Sequence, residues 1–182
     1  HCLITHSHYD HFVPEELDIR TAYCVAEVTH GFTVYGTEKV MEALGGRVRD
    51  EKFTERVGFA LIEPFKPFTA AGYKITPLAA DHDAASGPVI FLIEKDGKTI
   101  LYGNDTGYFP EDTWRYFETA RPKLDMAVFD CTFGNRPGMR RNHMNIQTVI
   151  EVRERLEKLG CIGRETKNYL HHICHNSWTT YD

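Results

Sequence analysis

Residues 5–11 of the chain read Thr-His-Ser-His-Tyr-Asp-His and follow directly on a short apolar run. Three imidazoles and one carboxylate lie within six consecutive positions, a mixture that zinc and similar borderline metal ions favour as ligands. In a tight turn that leaves a strand, residues two apart can face one point, so His6 and His8 can share one metal ion. Asp10 and His11 lie further along the turn and can face a second ion. This order of ligand-type residues predicts a metal centre rather than an exposed polar loop.

The composition is typical of a globular protein that is long enough to bury a core. The chain has 182 residues, of which 42% are hydrophobic and 26% are charged, and this length suits one domain that extends over residues 1–182. The net charge of -5 disfavours nucleic acid as a partner, because dedicated nucleic-acid binders usually carry a basic excess. No apolar run approaches the roughly 18 residues that cross a bilayer, so no membrane partner is expected.

The cysteine content bears on the cellular location of the protein, and the first residues bear on how much of the protein the sequence covers. The cysteine number is odd and no CxxC pair occurs, which favours a reducing, cytoplasmic location over a disulfide framework; the cysteines are Cys2, Cys24, Cys131, Cys161 and Cys174. The sequence begins at His1 and enters an apolar run at once. We interpret it as an excerpt of a longer protein, with the N-terminal part of the domain outside it.

Strand and helix signals alternate along the chain and predict a mixed α+β class in layers. Strands are expected at residues 2–5, 32–36, 58–63, 73–80, 89–94, 99–102, 124–130 and 169–173. Asp96-Gly97 between two apolar runs predicts a hairpin. Helices are expected after Pro14, at residues 37–44 with Thr37 as cap, at 110–120, and from a cap at Asn145 to Gly160. The last helix is expected to present one apolar face made of Ile146, Val149, Ile150, Val152 and Leu156.

Residues 5–11 resemble the HxHxDH signature of the metallo-β-lactamase superfamily. The resemblance implies an αββα sandwich, in which two sheets face each other with helices outside and the metal site at the sheet edge. It also implies a lone His after a strand, then an Asp at a strand end, then a His near the C-terminus. The chain offers His82, Asp105 and His172 in that order. His171 competes with His172, since alternation along a strand turns only one of two neighbours inward.

The same resemblance implies two divalent metal ions, with Zn²⁺ as the expected ion and Mn²⁺ as the alternative. Its ligand set is His6, His8 and His82 for the first ion, Asp10, His11 and His172 for the second, and Asp105 as the bridge. Two such ions can bridge one hydroxide and stabilise both ends of a displacement. The expected activity is therefore hydrolysis by a metal-bridged hydroxide, and Asp10 counts as catalytic as well as metal-binding.

The second half of the chain resembles the cyclic phosphodiesterases of the carbon–phosphorus lyase pathway. The similarity lies at Asp130-Cys131, at Asn142-His143 and in residues 171–175. It implies a small phosphodiester as substrate and a catalytic His143 that assists a phosphate oxygen or the leaving group. Guanidinium groups match phosphate geometry, so the residues expected to bind substrate are Arg140, Arg141 and His175.

Other functions use the same signature and stay open. One is thioester or other ester hydrolysis, as in hydroxyacylglutathione hydrolases. A second is tRNA 3′-end processing, which needs an exposed RNA-binding arm that the sequence does not show. Outside enzymes, the chain could be a di-iron binding or sensor module. A homodimer is also left open.

Overall fold

The structure is a computed structural model that describes residues 1–23 and 31–179. The chain divides into two compact units, namely His1–Glu63 with Ala84–Pro88, and Pro64–Asp83 with Val89–Asp182. Each unit has its own sheet and its own hydrophobic core. Cys24 lies outside the described residues, and the other four cysteines are free thiols.

The first unit packs a parallel sheet with short helices. Strands β1 (Cys2–Leu3), β2 (Phe32–Gly36) and β3 (Val57–Leu61) are parallel, in the order β1-β2-β3. The helices are α1 (Pro14–Tyr23), α2 (Glu38–Leu44) and α3 (Glu51–Thr54). Apolar side chains from these strands and helices and from the loop after β1 form the core: Ile4, Phe12, Val34, Val40, Leu44, Phe53 and Val57.

Helix α2 begins and ends where the sequence predicts, but its cap differs. Thr37 stands at the N-cap position without a side-chain cap bond. Its hydroxyl donates instead to the carbonyl oxygen of Gly87 at 2.9 Å, so it holds the segment Ala84–Pro88 against the unit. At the other end Gly45 has a φ of 58°, which glycine adopts without the steric penalty of a Cβ atom.

The second unit contains a larger mixed sheet. Its strands are β4 (Phe68–Ala70), β5 (Tyr73–Ala79), β6 (Val89–Lys95), β7 (Lys98–Gly103), β8 (Met126–Asp130) and β9 (Lys167–His171), in sequential order. Strands β4, β5, β6 and β7 pair with one another in antiparallel fashion, whereas β7, β8 and β9 run parallel. The predicted hairpin joins β6 and β7, and its turn residues Asp96 and Gly97 have φ values of 50° and 72°, as a type I′ turn requires.

Helices α4 (Glu111–Ala120) and α5 (Ile146–Lys158) contribute to the core of the second unit. Trp114 and Phe117 of α4 are fully buried and pack with Phe109. In α5 the side chains of Val149, Val152 and Leu156 are buried. No helix among residues 1–23 and 31–179 is long and apolar enough to pass through a membrane.

Two expectations about individual elements are wrong. Ile150 is 41% exposed, because it follows Val149 and so points about 100° around the helix from the buried face. Strand β9 ends at His171 and does not reach Ile173. His172 has a φ of 63°, a left-handed conformation that takes the chain out of the strand. The sequence patterns did not predict the short strand β4 or the helix α3.

The parallel strands determine where the candidate site lies in the second unit. Because parallel strands point the same way, the carboxyl ends of β7, β8 and β9 lie at one edge of the sheet. Asp130 pairs with His171 in register. The segments that follow these strands carry Asp105, Thr132 and His172, so the sheet brings residues from distant parts of the sequence together.

Asn145 joins the loop after β8 to the start of α5. Its Oδ1 accepts a hydrogen bond from the backbone amide of Thr148 at 2.8 Å, which caps the helix. Its Nδ2 donates to the carbonyl oxygen of Arg136 at 2.8 Å. The side chain is 5% exposed, so both bonds are shielded from water.

Replacing Asn145 with alanine is expected to lower the free energy of unfolding by about 1–2 kcal/mol, because the cap and the bond to Arg136 are lost together. Asn145→Ser keeps a capping oxygen and should lose less. Urea unfolding followed by circular dichroism measures both variants. The exposed Asn168 on β9 gives a matched control, with little change expected for Asn168→Ala. Equal stability of Asn145→Ala and the unsubstituted chain would show that the cap contributes nothing.

Candidate metal centre

The loop after β1 carries three histidines, His6, His8 and His11. The ring of His6 lies 4.6 Å from the ring of His8 and 4.6 Å from the ring of His11, measured between centroids. His6 is fully buried. The amide of Ser7 donates to the carbonyl oxygen of Ser86 at 3.1 Å, which fixes the loop between the first two histidines. The three imidazoles of the predicted signature thus cluster within this unit.

Asp10 lies on the exposed side of the same loop. Its Oδ2 is 3.5 Å from Nε2 of His11, and its side chain is 77% exposed. Partial burial raises the pKa of Asp10, but a hydrogen bond from its own backbone amide and the nearby charges of His11, His6 and His8 lower it, and the net pKa is below the usual value. The carboxylate is therefore ionised at neutral pH, as a metal ligand must be.

In the second unit, carboxylates and imidazoles converge at the carboxyl ends of the parallel strands. Ligand atoms from four side chains all lie within 4.8 Å of one another: Asp105, Asp130, His143 and His172. Nε2 of His172 is 3.5 Å from Oδ1 of Asp105. The rings of His143 and His172 stack, with centroids 5.4 Å apart and planes inclined by 10°. Carboxylate and imidazole together form a donor set that fits zinc or manganese.

The carboxylate of Asp130 is fully buried at the end of β8 and accepts hydrogen bonds at both of its oxygens. Its Oδ1 accepts from the backbone amides of Thr132 and Met144, each at 3.0 Å. Its Oδ2 accepts from the backbone amide of Asp105 at 3.1 Å and lies 2.9 Å from Nδ1 of His143. A buried carboxylate is stable only when donors surround it in this way.

Thr132 contacts both stacked imidazoles through its hydroxyl and is 7% exposed. Its Oγ1 is 2.7 Å from Nδ1 of His172 and 3.1 Å from Nδ1 of His143. The same hydroxyl donates to Asp130 at 3.0 Å. Sequence reasoning used Asp130 only as part of a resemblance and missed Thr132, since a loop threonine carries no spacing signal. The sequence did contain a signal for Asp130, because it is an acidic residue directly after the apolar residues 126–129 of a predicted strand.

His82 follows β5 and lies beside His143, with ring centroids 4.9 Å apart. Its Nδ1 is 3.0 Å from the carbonyl oxygen of Asn142. A carbonyl oxygen can only accept, so Nδ1 of His82 carries the proton and Nε2 carries the lone pair that a metal needs. The turn after β5 therefore presents an imidazole nitrogen that could bind a metal.

Asp81 and Gly107 hold this turn in place. The amide of Gly107 donates to the carbonyl oxygen of Asp81 at 2.8 Å. Nε of Arg141 lies 2.9 Å from both carboxylate oxygens of Asp81. A Cβ atom at residue 107 would lie 2.5 Å from Oδ2 of Asp81 and 2.9 Å from the amide nitrogen of Asn142. Only glycine permits this close approach of the loops.

The structure separates the two candidates for the last ligand. His172 joins the group with Asp105, whereas His171 is exposed and has its Nδ1 3.1 Å from Oδ1 of Asn104. The left-handed φ of His172 explains the difference, since it turns that side chain away from the alternation of β9. The geometry supports His172, and its role as a metal ligand stays a prediction.

The residues expected to bind substrate lie outside that group. Arg140 forms an ion pair with Glu151 and places its guanidinium 3.8 Å from the ring centroid of Tyr108. Arg141 pairs with Asp81, and its side chain is 80% exposed. His175 begins a 3₁₀ turn and is exposed. Their substrate-binding roles stay predictions.

The chain was compared with known families and structures. Residues 1–173 match the family described as beta-lactamase superfamily domain. The metallo-β-lactamase fold protein YhfI from Bacillus subtilis is 18% identical, with a TM-score of 0.68, and the alignment covers 95% of this chain and 64% of that one. A diphosphatase from the PhnP family is 20% identical, with a TM-score of 0.64 and coverage of 96% and 60%. Unliganded PDE1 from yeast is 14% identical, with a TM-score of 0.65 and coverage of 94% and 56%.

No curated protein matches the chain by sequence. The chain spans 56–64% of the length of the three solved structures named above. At these identities the likeness shows the fold alone, and it confirms the predicted α+β fold of the metallo-β-lactamase type. Because the family match extends over residues 1–173, the chain belongs to the beta-lactamase superfamily, among the proteins with the metallo-β-lactamase fold.

Proposed function

We propose that this chain is the metal-binding part of a hydrolase that cleaves a small phosphodiester. The observation that carries the proposal is the group formed by Asp105, Asp130, His143 and His172 at the ends of the parallel strands. It combines metal-ligand chemistry with an imidazole bonded to a buried carboxylate. A diphosphatase from the PhnP family shares this fold, so phosphate chemistry is among the reactions that the fold can host.

We further propose a dinuclear centre of Zn²⁺, with Mn²⁺ as the alternative. Its ligands are the set expected from the sequence: His6, His8, Asp10, His11, His82, Asp105 and His172. When bound, such a pair of ions supplies a water of lowered pKa and positive charge opposite the phosphoryl oxygens. Within each unit, the clustering of these imidazoles and carboxylates supports this assignment.

His143 has a different task from the ligands in this proposal. Its Nδ1 lies 2.9 Å from Oδ2 of Asp130, and an ionised carboxylate can only accept, so the proton sits on Nδ1 and the ring is held in one orientation. The opposite nitrogen, Nε2, can then carry a proton to a leaving oxygen. A carboxylate partner also stabilises the imidazolium form. His143 is therefore suited to act as a general acid while its own position stays fixed.

The experiments described below also distinguish the alternative functions. Thioester hydrolysis would use the same ligands with a different leaving group. A tRNA-processing nuclease or a di-iron module would differ in substrate or metal. The cytoplasmic location, a homodimer and the interpretation of residues 1–182 as one domain stay predictions.

The full-length protein loaded with Zn²⁺ or Mn²⁺ is expected to hydrolyse bis-p-nitrophenyl phosphate in preference to a thioester and a cephalosporin. The physical reason is that paired cations match the charge that develops on phosphoryl oxygens. Initial rates on the three substrates at equal concentration give the comparison. A thioester rate a hundredfold above the phosphodiester rate would overturn the substrate assignment.

Fully loaded full-length protein is expected to hold two equivalents of metal, because the ligand set is sufficient for two ions. Elemental analysis of the dialysed protein measures both the number and the identity of the ions. His82→Ala should lower the metal content, whereas the matched change at the exposed His1 should not. At most one equivalent in the unsubstituted protein would contradict the dinuclear proposal, and iron with a visible absorbance band would favour the di-iron alternative.

His143→Ala is expected to lower the rate on an alkyl phosphodiester by about 10²–10⁴-fold, the contribution that a positioned general acid makes. The metal content should stay unchanged. The loss should shrink with p-nitrophenolate as leaving group, since that anion needs little help from a proton. Rates on both substrates and elemental analysis of the same preparation provide the measurement, with His1→Ala as the control.

Two results would contradict this role for His143. Loss of metal in His143→Ala would show that it is a ligand. Full activity on the alkyl substrate would show that it is an ordinary loop residue.

A further inference from the structure

The hydroxyl of Thr132 touches a carboxylate and two imidazoles at once. It has one proton to donate, yet it lies within hydrogen-bond distance of Oδ1 of Asp130 at 3.0 Å, of Nδ1 of His143 at 3.1 Å and of Nδ1 of His172 at 2.7 Å. The positions of the protons in this group are therefore mutually dependent.

The direction of the hydroxyl decides where the other protons lie, and its distances of 3.0 and 3.2 Å to the two carboxylate oxygens of Asp130 favour donation to that residue. An ionised carboxylate has no proton to give, so the hydroxyl donates to Asp130. Oγ1 of Thr132 then faces His172 with lone pairs only. A separation of 2.7 Å from Nδ1 is attractive only if that nitrogen carries a proton. This arrangement puts the proton of His172 on Nδ1 and leaves the lone pair on Nε2, the atom that lies 3.5 Å from Oδ1 of Asp105.

We propose that Thr132 is a positioning residue, which sets the tautomer of His172 so that Nε2 and not Nδ1 coordinates the metal. This proposal rests on the proposed function for the metal role of His172. It explains why one ring nitrogen rather than the other would bind the metal. The hydrogen-bond partner of Nδ1 determines whether Nε2 carries the free lone pair.

His172 needs such a restraint more than a residue inside a strand does. It lies beyond the end of β9 with a φ of 63°, so the hydrogen bonds of the sheet do not determine its side-chain direction. Its side chain is also 28% exposed. The 2.7 Å contact to Thr132, which is itself buried, ties this ring to the end of β8.

A valine at residue 132 would remove the hydroxyl with little change in shape. The hydroxyl also lies 3.2 Å from Oδ2 of Asp130. The backbone of Thr132 forms further bonds: the amide donates to Asp130 at 3.0 Å, and the carbonyl oxygen accepts from the amide and the thiol of Cys174 at 3.3 and 3.1 Å. Thr132→Val keeps these bonds. Thr132→Ser keeps the hydroxyl and serves as the matched control.

The first measurement is the nitrogen spectrum of the histidine side chains in the metal-free full-length protein labelled with ¹⁵N, with His172 assigned by its absence in His172→Gln. We expect the unsubstituted protein and Thr132→Ser to show His172 protonated on Nδ1. Thr132→Val should show a mixture of the two tautomers. A proton on Nε2 of His172 in the unsubstituted protein would overturn the proposal, and this result does not depend on whether the valine variant folds.

The second measurement is zinc affinity by competition with a chelator. Thr132→Val is expected to bind zinc about 10–100-fold more weakly, as is typical when the partner of a ligating histidine is removed, whereas Thr132→Ser should stay close to the unsubstituted protein. A folded Thr132→Val with unchanged affinity and an unchanged tautomer would overturn the proposal. Neither readout needs turnover, so failure to cleave a phosphodiester would count against the proposed function alone.

Discussion

The candidate site of the second unit depends on the hydrogen bonds that the buried carboxylate of Asp130 accepts. It stands at the end of β8 without exposure to water, where an ionised group is stable only if donors replace the lost solvent. Those donors come from Asp105, from Thr132 and from the segment that carries His143 and Met144. The hydrogen bonds that stabilise this one charge therefore hold three separate segments in fixed positions. Loss of the charge would leave several buried donors unsatisfied, which costs more than any single bond contributes.

The sheet makes this convergence possible and the loops make it precise. Strands β7, β8 and β9 are parallel, so their carboxyl ends deliver residues that are far apart in sequence to one edge. The loop at Gly107 can approach its neighbours closely because glycine has no side chain there. An ion pair between Asp81 and Arg141 also holds these loops together. These two features place His82 beside His143. They also give the exposed Arg141 a structural task that is independent of substrate.

Much of the fold and part of the site could be predicted from the sequence, because the signals are local. The strand at residues 32–36, the hairpin at Asp96-Gly97 and the cap at Asn145 each depend on a few neighbouring residues, and each lies where it was expected. The spacing of His6, His8 and His11 is local in the same sense. Thr132 could not be found in this way, since its importance comes from partners that lie 11 and 40 positions away in the sequence. The exposure of Ile150 shows a limit even in a helix, where apolar character alone does not decide which residue faces the core.

Three histidines of the second unit, His82, His143 and His172, differ in the partner of their Nδ1 atoms, and this difference suits them to different chemistry. His82 faces a backbone carbonyl, His172 faces a hydroxyl, and His143 faces a buried carboxylate. A neutral acceptor fixes the tautomer but adds no net charge, so it favours a neutral imidazole whose Nε2 lone pair can bind a metal. A carboxylate fixes the same tautomer and also stabilises the positive imidazolium, so it favours a ring that gains and loses a proton. In the proposed site, three chemically identical side chains that lie close together can therefore divide the tasks, with His82 and His172 as metal ligands and His143 as the residue that transfers a proton.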